Sequence, residues 1–300
     1  MTYPSYLNLS PKELNLKIKR LFKILERCEL CPRKCQVNRL RGEKGFCQLG
    51  YLPMVSTFHP HFGEESPLVG KSGSGTIFMT SCNLSCVFCQ NYEISQLRTG
   101  EEISFERLAE MMIELQNLGC HNINFVTPTP QVPQIVKALE IAIERGLKIP
   151  LVYNTNSYDS VKTLKLLDGI FDIYLPDAKY SNDEIAKKYS NAPNYFEIMK
   201  SAIKEMHRQV GDLVINEEGI AVRGLIVRHL VLPNNLAGSE RIFEFISKEI
   251  SKNTFLNIMD QYWPAYKACE YSELSRRITE EEFKKAIKLA KKFGLERLYF

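Results

Sequence analysis

From Thr76 onward the chain repeats one rhythm: a short, nearly continuous apolar run, then a longer stretch with apolar residues every third or fourth position. The runs at 77–79 (IFM), 121–126 (HNINFV), 149–154 (IPLVYN), 169–175 (GIFDIYL), 221–232 (AVRGLIVRHLVL) and 255–259 (FLNIM) predict buried strands. The stretches 103–119, 134–146, 160–168, 239–251 and 280–294 predict helices, and 182–212 predicts two helices parted by Pro193. Gly119, Gly146 and Gly294 stand where a left-handed C-cap would close a helix. Ahead of this repeat, Leu14, Ile18, Leu21, Phe22 and Leu25 form the apolar stripe of a helix over 11–27. Residues 28–71 are turn-rich and read as an irregular, cysteine-rich knot.

Strands alternating with amphipathic helices pair in parallel through right-handed crossovers. About six such units predict an α/β fold: a complete or partial (βα) TIM-type barrel, preceded by a helix and a knot. Two parts are expected, an amino-terminal helix and metal-binding segment over 1–71 and the barrel over 72–300. In a βα barrel, chemistry sits at the carboxyl ends of the strands, so the residues just after each strand are the ones to read.

Composition narrows the class. The 300 residues are 44% hydrophobic and 25% charged, with a net charge of +4. That is globular composition, without the clustered basic face that nucleic-acid binders show. No apolar run approaches the ~18 residues of a membrane span. The beginning of the chain carries no signal-peptide pattern, so the cytoplasm is the expected compartment.

Nine cysteines change the picture, because seven fall into two groups. In a reducing compartment such groups hold metal or catalyse. Cys28, Cys31, Cys35 and Cys47 form C-x2-C-x3-C-x11-C, four soft ligands that suit zinc or an iron–sulfur cluster equally well. Gly42 and Gly45 allow the tight turns of such a knot. Cys82, Cys86 and Cys89 form C-x3-C-x2-C directly after the first strand of the repeat. Three thiolates are one short of a closed zinc or cubane site, and an iron with an open position accepts a small chelator. The competing reading is a zinc-binding interaction protein with both groups as structural knots. A nucleic-acid-modifying enzyme is a third, which the absence of a basic cluster disfavours.

The three-cysteine loop, with Phe88 before its last cysteine, resembles the signature of the radical S-adenosylmethionine superfamily. The resemblance implies that Cys82, Cys86 and Cys89 ligate a [4Fe-4S] cluster. Its unique iron would bind S-adenosylmethionine, and reductive cleavage would yield a 5′-deoxyadenosyl radical that takes hydrogen from substrate. Downstream, Asp177 and Lys179 have period-two spacing at the end of the fourth strand, so both can face the barrel interior. Together with YNTNSY (153–158) and IVRHLVLP (226–233), they resemble the activating enzymes of glycyl-radical proteins such as pyruvate formate-lyase. That resemblance implies cofactor contacts from Phe88, Asn154, Thr155, Asp177, Lys179 and Arg228. It further implies an electron donor such as flavodoxin or ferredoxin, and a glycyl-radical protein or a small molecule as substrate.

The chain also departs from that pattern. Thr127-Pro128-Thr129-Pro130 stands where those enzymes have Gly-Gly-Glu, which assigns the amino-group contact to Thr127, Thr129 or backbone. Asn154 stands where they often carry Asp. Of the remaining candidates, Cys120 and Cys269 read as small buried hydrophobic residues, and His59 and His61 as surface or capping groups. His229 lies on the strand face opposite Arg228, and Asp260, Gln261 and Tyr262 after the sixth strand are candidate contacts to adenosine or substrate, or an aromatic plug at the barrel mouth.

Overall fold

The computed structural model describes residues 3–300. Helix α1 (Pro11–Leu25) opens on a capping box between Ser10 and Glu13 and buries Leu14, Ile18, Leu21 and Leu25. The knot of residues 28–50 leads into strand β1 (Met54–His61), the single turn α2 (Ser66–Val69) and β2 (Ser74–Met79). Then follow α3 (Tyr92–Ser95), β3 (Glu101–Glu102), α4 (Phe105–Asn117), β4 (Ile123–Val126), α5 (Val132–Glu144) and β5 (Leu151–Thr155). The chain continues through α6 (Val161–Leu166), β6 (Ile173–Pro176), α7 (Asp183–Ser190), α8 (Tyr195–Val210), β7 (Val214–Ile215) and β8 (Ala221–Leu230). It finishes with α9 (Ser239–Phe245), β9 (Phe255–Met259), α10 (Glu280–Lys292) and β10 (Leu298–Tyr299).

One sheet runs β10-β9-β8-β6-β5-β4-β2-β1-β3, with β7 on the side of β8. Every pair along the path from β2 to β10 is parallel, β7 is antiparallel to β8, and β1 is antiparallel to both β2 and β3. The six expected strands are β2, β4, β5, β6, β8 and β9. Among the described residues the two ends of this path do not pair, so the barrel is partial. Val152, Ile173, Leu175 and Ile226 are buried on the face of the sheet that Asn154 and Arg228 share, and Tyr153, Leu225 and Leu256 are buried on the opposite face. Gly119, Gly146 and Gly294 have φ of +85°, +89° and +75°, as a left-handed cap requires.

The knot reading of 28–71 needs one correction, because residues 54–61 form β1. Only Val55 of this strand is buried, and its histidines and Pro60 hide the alternation that marks a strand. β2 likewise starts earlier than its apolar core suggests. A Cβ on Gly75 would lie 2.6 Å from the Asn122 carbonyl oxygen, so close pairing with β4 requires glycine there. Among the described residues no helix is long and apolar enough to cross a membrane.

Candidate active site

The carboxyl ends of the parallel strands converge on a cavity of about 150 Å³. The loop after β2 brings Cys82, Cys86 and Cys89 to one wall. β4 ends on Val126, and Thr127 follows with φ +61°. β5 supplies Asn154 and Thr155, the segment after β6 supplies Asp177 and Lys179, and β8 supplies Arg228. All nine line the same space, although they lie up to 146 positions apart in the chain. An adjoining cavity of about 210 Å³ shares Cys86, Cys89, Asp177, Lys179 and Arg228, and adds Phe88, Gln261 and Tyr262.

Each of the three sulfurs has its own hydrogen-bonding neighbour. Cys82 Sγ accepts from the Asn156 amide and the Leu84 backbone N–H, both at 3.3 Å. Cys86 Sγ accepts from the Ser190 hydroxyl at 2.9 Å, and Cys89 Sγ lies 3.2 Å from Ser95 Oγ. Burial pushes the Cys82 and Cys86 thiols up to about 12 and about 11. As free thiols, Cys82 and Cys86 stay protonated at neutral pH, and a bound metal is what would convert them to thiolates. Donors aimed at sulfur are the usual surroundings of cluster thiolates. No fourth cysteine lines the cavity. Among the described residues, no three His, Cys, Asp or Glu side chains are grouped so as to hold a single metal ion. A cluster, in which each thiolate takes a different iron, tolerates wider sulfur spacing. The three residues therefore fit a [4Fe-4S] cluster with one open corner.

Opposite the cysteines lies a chain of charges. Arg228 donates through Nε to Asp177 (2.8 Å), through Nη1 to Glu64 (3.2 Å) and through Nη2 to Asn154 (2.6 Å). Lys179 Nζ donates to the other Asp177 oxygen at 2.7 Å. Burial works against the charged form of Asp177, but Arg228 and Lys179 outweigh it and hold the carboxyl below its ordinary range. Burial also opposes the Lys179 ammonium; Asp177 and the neighbouring Cys86 reverse that and raise its pKa. For Glu64 burial wins over Arg228, and its pKa rises.

Two residues named from the sequence lie elsewhere. The Thr129 hydroxyl is buried in a separate network, 2.9 Å from Asp159 Oδ1 and 3.1 Å from Thr155 Oγ1, and does not line the cavity of the three cysteines. Asp159 also accepts from Tyr153 and Thr155, so the threonine serves that buried carboxylate. Phe88 packs on Tyr262 with ring centroids 5.7 Å apart and reaches only the adjoining cavity. Sequence reasoning missed Glu64, Asn156, Ser190 and Ser95. Asn156 directly follows Thr155, at the start of the loop after β5, which is a usable signal. Glu64 follows β1, outside the strand-helix repeat, and nothing in its local pattern marks it. His229 lies away from the cavity, held by the Ala178 carbonyl (2.7 Å) and Ser239 Oγ (2.8 Å). His59 and His61 pack around Phe78. Cys120 is buried, whereas Cys269 is exposed in a turn after β9, which corrects its reading as a buried residue.

The Radical SAM superfamily model matches residues 76–246, more than half of the chain. The chain belongs to the radical SAM superfamily. Membership makes it an enzyme of S-adenosylmethionine cleavage and radical chemistry, with an iron–sulfur cluster as cofactor. It is similar to the uncharacterized protein MJ0674 of Methanocaldococcus jannaschii, at 39% identity over 97% of this chain and 82% of that protein. A second uncharacterized protein of that organism, MJ0808, is 26% identical over 85% of this chain and 78% of its own length. Among solved structures, the FeFe-hydrogenase maturase HydG from Carboxydothermus hydrogenoformans aligns at TM-score 0.51 and 11% identity. That alignment covers 98% of this chain and 59% of HydG, and shows a shared fold.

The first cysteine group stands directly behind this site. Cys28, Cys31, Cys35 and Cys47 line one small cavity. The Ser81 hydroxyl donates to the Cys47 carbonyl at 2.6 Å, and Arg33 Nε donates to the Asn83 carbonyl at 2.8 Å, tying the knot to the loop of Cys82.

Proposed function

We propose that this radical SAM enzyme abstracts hydrogen from a protein glycine or a small molecule, in the manner of the glycyl-radical activating enzymes. The observation that carries the reading is the cavity itself: three sulfurs with their own donors face a Lys179–Asp177–Arg228 charge chain across a space open to a small ligand. When bound, the cluster supplies the electron that breaks the sulfonium carbon–sulfur bond of S-adenosylmethionine.

The chain's own residues hold and orient. Cys82, Cys86 and Cys89 hold the cluster. Lys179, fixed by Asp177, meets the methionine carboxylate. Asn154, Thr155, Thr127 and Arg228 wall the nucleoside and amino-group side, while Phe88 backs the adjoining space. Burial of these groups keeps water and stray hydrogen donors from a reactive radical. A cytoplasmic setting, a flavodoxin or ferredoxin donor, and a division into residues 1–71 and 72–300 belong to the same reading. Beside this reading and independent of it, Cys28, Cys31, Cys35 and Cys47 are the expected ligands of a second metal, zinc or iron–sulfur.

The test is anaerobic reconstitution with iron and sulfide, reduction in the presence of S-adenosylmethionine, and chromatography of the nucleoside products. Formation of 5′-deoxyadenosine, lost in Cys86→Ala, is expected. A reduced, iron-loaded protein that makes none overturns the reading. Incubation with a glycyl-radical protein, followed by electron paramagnetic resonance, then separates a protein substrate from a metabolite.

A further inference from the structure

Arg33 lies between Cys31 and Cys35 and is committed at one end only. Its Nε donates to the Asn83 carbonyl, and its guanidinium lies 3.8 Å above the Phe46 ring. Its Nη2 is shut off from solvent and has no hydrogen-bond partner. A buried guanidinium nitrogen without an acceptor is costly, because the group loses water and gains nothing in return. The cavity that Arg33 helps to wall is the one lined by the four cysteines. Neutral thiols accept weakly, whereas a metal-bound thiolate or sulfide is anionic and accepts well. Two further features fit an anionic sulfur centre. The Phe46 N–H donates to Cys35 Sγ at 3.3 Å. A Cβ on Gly45 would stand 2.9 Å from the same sulfur, so glycine lets the backbone approach it.

The other end of Arg33 leads to the active-site loop. Asn83, which accepts its Nε–H, donates to the Tyr158 carbonyl at 2.7 Å and accepts from Asn156 at 2.9 Å. Asn156 is the residue whose amide reaches Cys82 Sγ.

We propose that the knot holds an anionic, thiolate-ligated metal centre whose sulfur accepts from Arg33 Nη2, and that Arg33 thereby couples its loading to the setting of the Cys82 loop. A single ion requires the cysteine side chains to turn inward, whereas a multinuclear core spans a wider separation. The coupling rests on reading Cys82, Cys86 and Cys89 as cluster ligands, but the metal centre itself does not. Coupling of this kind is reciprocal: a loaded knot favours a loaded active site.

The experiment uses the full chain, prepared and reconstituted without oxygen, in four forms: wild type, Cys82→Ala/Cys86→Ala/Cys89→Ala, Cys31→Ser/Cys47→Ser and Arg33→Gln. Near-ultraviolet circular dichroism checks that each is folded. Metal analysis of the triple variant should find about one zinc or about four iron per chain, two outcomes that identify the knot's metal and both support the site. The cluster absorbance under chelator challenge should decay about tenfold faster in Arg33→Gln and in Cys31→Ser/Cys47→Ser than in wild type, the worth of one charged hydrogen bond. A folded triple variant that holds neither metal overturns the centre. An Arg33→Gln cluster as durable as wild type overturns the coupling. A wild-type chain that loads only the knot instead overturns the proposed function and leaves the centre standing.

Discussion

Asp177 offers the sharpest perturbation. Its carboxylate bridges Lys179 at 2.7 Å and Arg228 at 2.8 Å, with the three side chains only 14–18% exposed. Asp177→Asn conserves shape but removes the negative charge that both cations face. It keeps one acceptor oxygen and turns the other into a donor aimed at a cation. Charged hydrogen bonds contribute about 1.5–3 kcal/mol each, and breaking a buried pair on one side costs about 3–5 kcal/mol. We therefore expect a loss of about 3 kcal/mol, read as a drop of about 5 °C in the melting temperature of the apoprotein. Arg228→Met alone should destabilise similarly, while the double variant should cost less than the sum, since it no longer strands Arg228. The same substitution frees Lys179 to wander, so calorimetric binding of S-adenosylmethionine to the loaded protein should weaken about tenfold or more. Acid should mimic it in stability. The pKa of Asp177 is depressed below 3.8, so its contribution is complete above that value and is lost as pH falls through the lower folded value. An Asp177→Asn protein that melts within about 1 °C of wild type, with additive double-variant energetics, would refute the reasoning.

Other outcomes follow from single residues. His229 is buried neutral, with its pKa pushed down to about 4 by burial. Its contribution is present above the unfolded value near 6.5 and declines as pH falls toward 4, by about 3 kcal/mol in all; His229→Gln should flatten that part of a stability–pH curve measured by denaturant unfolding. Thr129→Val removes one of three hydroxyl donors from Asp159 and should cost about 1–3 kcal/mol in chemical denaturation, with S-adenosylmethionine cleavage retained. Gly45→Ala drives a methyl group into Cys35 and should strip metal from the knot, seen by metal analysis, while circular dichroism shows the barrel intact.

The linear order of residues determined the repeating units and their ends. Strand and helix periodicity is local, and so are the glycine caps at 119, 146 and 294. The cysteine spacing after β2 is also local, because a short loop must carry its three thiols together. Asp177 and Lys179 were readable for the same reason, being two positions apart on an extended segment. What lies across the sheet was not readable. Glu64 reaches Arg228 from 164 positions away, and Thr129 turns toward Asp159 instead of the cavity, because strand register and loop closure decide those encounters. β1 carries no periodic mark, because a strand with Val55 as its one buried residue lacks an apolar alternation of its own and is held by pairing with β2. Periodicity reports what a segment buries, whereas tertiary packing alone decides which distant polar groups share one enclosed space.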